Sequence, residues 1–148
     1  MDPADDGMNL GLLLFIPYRA MEQRIFAGLA DAGFDDFTPS QARVFQRIAP
    51  GGSRLTDLAE QAQITKQSAG FLVDQLERSG YVERVPDPAD ARARLVRIAE
   101  RGAAAIPVAA AIVAQVEAEW EAYLGSRRTG QLRQALRLLR EITDPYRA

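Results

Sequence analysis

Apolar residues recur at helical spacing over most of the chain, and one short stretch near the middle changes to a period of two. From about Asn9 to Asp31, Leu14, Tyr18, Met21, Ile25 and Leu29 form a stripe that Leu12, Phe15, Ile16 and Phe26 widen almost all round the helix. Such a helix must be covered on several sides, more than one chain of this pattern provides, so the stripe implies a dimer interface. Pro17 inside it either kinks the helix or ends a preceding one. After a loop over Ala32 to Phe37, Thr38-Pro39-Ser40-Gln41 combines an N-cap, a first-turn proline and a capping-box glutamine. The second helix they start points Val44, Phe45 and Ile48 inward and stops at Pro50-Gly51-Gly52. A short third helix from Leu55 to about Ala62 follows, and Thr65 caps a fourth, with Ala69, Leu72, Val73 and Leu76 on its buried face and Gly80 after its end.

The change of period comes next. Tyr81 to Val85 and Arg94 to Ile98 read as paired strands, separated by a polar turn over Pro86 to Ala93. Glu100-Arg101-Gly102 breaks the chain before an alanine-rich helix over 103–124, with Ile106, Val113 and Trp120 at heptad spacing and a bend expected at Pro107. Gly125 to Gly130 reads as a loop. The last helix carries Leu132, Ala135, Leu136, Leu139 and Ile142 on one face and Arg133, Arg137 and Arg140 on another.

These elements predict a mainly α protein of about six helices with a small two- to three-stranded β wing, a winged helix-turn-helix. The expected division is an N-terminal dimerisation helix over 1–37, a DNA-binding module over 38–101, and C-terminal dimerisation helices over 102–148. The terminal helices would pair across a two-fold axis.

Composition narrows the chemistry. The 148 residues contain neither cysteine nor histidine, which removes thiol chemistry, the commonest metal ligand and the commonest general base. No remaining pair of polar residues has a spacing that calls for catalysis, so no enzyme and no cofactor are expected. The apolar run Leu10 to Ile16 is too short to span a bilayer, and the acids before it have the wrong sign for a secretion signal. A soluble cytoplasmic protein with no membrane partner is the expectation. The net charge of −2 hides an asymmetry: residues 1–37 hold two arginines against seven acids, residues 38–102 ten basic against eight acidic side chains. Arg92, Arg94, Arg97 and Arg101 face only Glu100, a locally basic wing suited to DNA.

Four stretches carry a resemblance to a known family: Leu55-Thr56-Asp57-Leu58-Ala59, the helix from Thr65 to Leu76-Glu77-Arg78-Ser79-Gly80-Tyr81-Val82, the wing Asp87-Pro88-Ala89-Asp90-Ala91-Arg92-Ala93-Arg94, and Val96 to Gly102. Over nearly its whole length the chain resembles the MarR family of bacterial transcriptional regulators. The resemblance implies an obligate homodimer on a pseudo-palindromic double-stranded DNA operator, usually a repressor released by a small aromatic or phenolic effector.

On the fourth helix, Thr65, Lys66, Gln67 and Ser68 form the end that a recognition helix inserts into the major groove, where glutamine suits adenine and lysine suits guanine or phosphate. By the resemblance, the first-turn positions match those the family uses for bases. Phe71 and Gln75 depart from the family's polar pattern. Phe71 either touches a thymine methyl or folds back on its neighbour. Asp74 would repel phosphate unless Arg78 neutralises it. Arg92 is the candidate minor-groove finger and Arg94 a phosphate contact. Asp90 resembles the family acid that pairs with an arginine to stiffen the wing, although turn chemistry alone would also place an aspartate there. In the family, effectors often sit between the dimer helices and the DNA module. There Phe15, Tyr18, Arg19 and Phe45 would make an aromatic cage with one cation, or else simply pack in core and interface. The competing function is a winged helix used for protein–protein contact.

Overall fold

In the computed structural model, which describes residues 7–146, three of the six helices begin where a side chain satisfies their free N–H groups. The Asn9 side chain accepts the Leu12 N–H at 2.9 Å and opens α1, Leu10–Asp31. This helix continues through Pro17, so no earlier helix ends there. Helix α2, Pro39–Phe45, starts on a reciprocal capping box, Thr38 Oγ1 accepting the Gln41 N–H and Gln41 Oε1 the Thr38 N–H, both at 3.2 Å. Helix α3, Leu55–Gln61, and helix α4, Lys66–Arg78, are joined by a turn in which Gln63 takes φ 58°. Its amide reaches the Tyr146 hydroxyl at 2.8 Å, so the far end of the chain touches this turn.

The hairpin is tighter than expected. Strand β1, Val82–Asp87, pairs antiparallel with β2, Asp90–Ile98, from Val82↔Ile98 to Pro86↔Arg94, with a bulge before Asp87↔Asp90. Only Pro88 and Ala89 lie outside the strands, against the turn expected over Pro86 to Ala93. Side chains close the tip: Asp87 Oδ1 accepts the Ala89 N–H at 2.9 Å, and Asp90 Oδ1 the Arg92 N–H at 3.0 Å. The sheet has two strands, and Ser53 adds a single bridge to Val96.

Two further expectations change. Glu100-Arg101-Gly102 is no break but the first turn of α5, Glu100–Leu124, because Gly102 lets that turn lie against the Tyr81 carbonyl. The expected loop over 125–130 shrinks to Gly125, whose φ of 87° and ψ of 156° lie in a region essentially reserved for glycine. Helix α6, Ser126–Thr143, starts immediately after it.

The described residues thus form six helices and a two-stranded sheet around a core of Leu29, Val44, Leu58, Val73, Leu76, Tyr81, Val82 and Val96. A polar clamp fastens the connection after α1 to this core. The buried Tyr81 donates its hydroxyl to Asp36 Oδ1 at 2.6 Å. Arg101 donates to Asp36 Oδ2 at 2.9 Å, to the Ser79 and Gly33 carbonyls, and lies 4.5 Å over the Tyr81 ring. Burial, and then the Asp36 carboxylate, push the Tyr81 phenol far up. Burial works against the Asp36 anion, but the Tyr81 hydroxyl and Arg101 outweigh it and hold the carboxyl below its ordinary range.

The outer helices leave much apolar surface open. Leu10, Leu12, Leu13, Leu14, Phe15 and Ile16 are all exposed, and α6 has no buried residue despite Leu132, Leu136, Leu139 and Ile142. Helix α5 is long and apolar enough to cross a membrane by length and composition, and only 17% of its most apolar stretch is buried within the chain.

Candidate nucleic-acid interface

Helix α4 is oriented by its own amphipathicity: Ala69, Val73 and Leu76 are buried, which turns Gln67, Phe71, Asp74 and Arg78 outward. Its first turn presents Lys66, Gln67 and Ser68 to solvent. Thr65 is occupied by capping, accepting the Ser68 N–H at 3.0 Å and donating to Ser68 Oγ at 2.9 Å. Phe71 stands 60% exposed and does not fold back. Gln75 does turn inward; half-buried, it accepts a hydrogen bond from Gln41 of α2 at 3.2 Å.

Asp74 finds a different partner from the one expected. Arg84 at the start of the wing reaches it at 2.8 Å and Glu77 at 3.0 Å, and the Arg84 N–H donates to Glu77 Oε2. The hairpin leaves α4 through one short turn, so Arg84 lies nearer these acids than Arg78, which keeps no ion pair among the described residues. Arg84 thereby neutralises both acids of α4, and Lys66 and Arg78 make no ion pair among the described residues.

On the wing, Arg92 and Arg94 are exposed and make no ion pair among the described residues, whereas Arg97 pairs with Glu83 at 2.6 Å. The acid of the wing held most closely by an arginine is Asp87. It is 8% exposed and accepts from Arg54 Nε at 3.0 Å and Nη2 at 2.8 Å as well as from Ala89. The Ala89 N–H first, and then Arg54, hold its carboxyl below the usual range. Asp90 pairs with the same Arg54, more distantly at 4.0 Å, and also accepts the Arg92 N–H in the turn. Arg54 lies 33 residues from Asp87, and no local spacing in the sequence links the two.

The four residues expected to form a ligand cage separate into two pairs. Phe15 and Arg19 meet each other on the open face of α1, the guanidinium 5.8 Å from the ring centre. Tyr18 and the buried Phe45 line a cavity of about 400 Å³ between α1, α2 and α5, with Met21, Phe26, Arg43 and Ile106 among its other walls. Tyr18 donates to Glu22 at 3.0 Å, and burial, then Glu22, raise its pKa. Arg43 is the cation of this cavity. It also borders the groove beside Gln67, Ser68 and Phe71 on the α4 face.

A capped α4 carrying free polar groups, followed directly by a hairpin bearing free arginines, defines a winged helix-turn-helix. Over residues 35–93 the chain matches the model of the MarR family. It has the fold of the family's transcriptional regulators. The transcriptional regulator Tm0710 from Thermotoga maritima is 26% identical, with a TM-score of 0.64 over 89% of this chain and 92% of that one. Wild-type MarR in its apo form from E. coli is 24% identical, with a TM-score of 0.70 over 89% and 97%. A MepR mutant from S. aureus, solved bound to an oligodeoxyribonucleotide, is 18% identical, with a TM-score of 0.61 over 92% and 99%. No curated protein matches the chain.

Proposed function

We propose that this protein is a ligand-responsive repressor that binds a pseudo-palindromic operator as a homodimer. Residues 38–101 are the reader, with α4 in the major groove and Arg92 in the minor groove. Residues 1–37 and 102–148 form the dimer, which explains the apolar surfaces left open on α1, α5 and α6. In a bacterial cell such a protein works in the cytoplasm, at the nucleoid. The observation that carries the reading is the set of exposed groups without an ion pair among the described residues: Lys66, Gln67 and Arg78 on α4 and Arg92 and Arg94 on the wing, with both acids of α4 tied to Arg84. The S. aureus relative bound to an oligodeoxyribonucleotide supports the same use of the fold.

The test is a mobility-shift titration against DNA from upstream of the protein's own gene and against scrambled duplex. Tight, competitor-resistant binding to the first is expected. Failure on every duplex would leave a winged module for protein contact. The effector is an aromatic carboxylate or phenolate held in the 400 Å³ cavity, with Arg43 as its counter-ion. Since Arg43 borders both the cavity and the groove beside α4, an anion that draws it inward withdraws a cation from the DNA face. Thermal shifts with a panel of such acids should disappear in Arg43→Ala and persist in Arg19→Ala.

A further inference from the structure

The recognition helix has few groups left with which to read bases. Gln75 is committed to Gln41, Asp74 to Arg84, and Thr65 to the cap. The outward side chains that remain are Lys66, Gln67, Ser68, Phe71 and Arg78. Of these, Phe71 has neither donor nor acceptor, yet it stands 60% exposed in the middle of the face that meets the major groove. Beside it Ser40, Arg43, Gln67 and Ser68 offer groups for a base edge or phosphate, while Val44, Ile64 and Leu72 make the groove floor next to the ring apolar. In the major groove one base-edge feature is apolar, the C5-methyl group of thymine.

We propose that Phe71 is a specificity-determining residue that reads one thymine methyl in each half-site, a refinement that rests on α4 being the DNA-reading helix. Phe71 lies four residues beyond Gln67, about 6 Å along the helix axis. At about 3.4 Å per base step, the thymine falls roughly two steps from the base that Gln67 contacts. The operator half-site therefore holds a fixed thymine whose value to the protein is its methyl group, independent of its pairing edge.

The experiment enriches duplexes from a random pool with the full-length protein, then replaces each thymine of the winning duplex singly with deoxyuridine. That change keeps the base pair and the O4 acceptor and removes only the methyl. Burying one methyl group corresponds to a loss of roughly three- to fivefold in affinity. The expected result is such a loss at one thymine per half-site for the wild type, retained in Phe71→Leu and absent in Phe71→Ser, which binds both duplexes equally. Circular dichroism should show Phe71→Ser as fully helical, since the ring lies outside the core. Indifference to every deoxyuridine, or an equal loss in Phe71→Ser, overturns the assignment while DNA binding stands. Enrichment of no duplex at all overturns the DNA reading itself, and the assignment with it.

Discussion

The same substitution should have opposite effects at two helical glycines. At Gly102 in α5, a Cβ would collide with the Tyr81 carbonyl oxygen and lie 2.9 Å from Phe45 Cε2 and 3.2 Å from Ile98 Cγ2. That carbonyl cannot retreat, because it accepts the Ala99 N–H at 3.0 Å and so fixes the junction of wing and helix. Overpacking against such a wall costs about 3 kcal/mol, the upper end of the usual range. The better helix propensity of alanine returns roughly 1 kcal/mol, leaving Gly102→Ala about 2 kcal/mol less stable. For a chain of this size that lowers Tm by about 4–8 °C. At Gly70 in α4 a Cβ would meet Leu55 Cδ2 at an ordinary 3.6 Å, so the propensity gain stands nearly alone. Gly70→Ala should raise stability by roughly 0.5–1 kcal/mol. Urea unfolding followed by circular dichroism measures both, at one fixed concentration because the proposed association of subunits would shift the midpoint. If both variants moved in the same direction, or Gly102→Ala matched the wild type, the close approach would not be what α5 requires.

Arg92→Ala should weaken operator binding by about 1–3 kcal/mol and reduce the slope of affinity against salt by about one, read from a salt titration. Gln67→Ala should relax preference at one base pair per half-site in a base-substitution series. Asp87→Ala removes no phosphate contact but frees Arg54 and the tip, so affinity should fall about three- to tenfold, the worth of roughly one ordering hydrogen bond. The Asp36 carboxyl is lower in the folded than in the unfolded chain, so its contribution is complete above the ordinary carboxylate value, about pH 4, and disappears as pH falls further. Acid unfolding of Asp36→Asn should therefore be less steep than that of the wild type below that pH.

Features encoded within a few residues could be read directly from the chain. Thr38 with Gln41, Thr65 before Ala69, and the change of period after Gly80 each place a cap, a face or a strand by local spacing, and the structure keeps all three. What escaped depends on partners that folding brings together from afar. Asp74 sits four residues from Arg78 yet pairs with Arg84, because the hairpin folds back along α4. Asp87 joins Asp90 as a partner of Arg54, which arrives from the start of α3. Phe15 and Arg19, four apart on one helix face, were bound to meet each other before either could meet Phe45. Gly102 looked like a breaker because its reason for being glycine is a carbonyl 21 residues earlier, invisible to any window along the chain.

Gly125 is the whole of the connection between the two longest C-terminal elements, and that makes their relative rotation a matter of residue count. One inserted residue would turn α6 by about 100° about its axis. Leu132 and Leu136 would swing away from the groove they share with Trp120, and Arg133 would leave Glu117, which it now meets at 3.3 Å. Most surface connections absorb changes of length; here a change of length becomes a change of phase. Over evolutionary time the junction should tolerate exchange of the residues on either side of the glycine far better than any insertion or deletion.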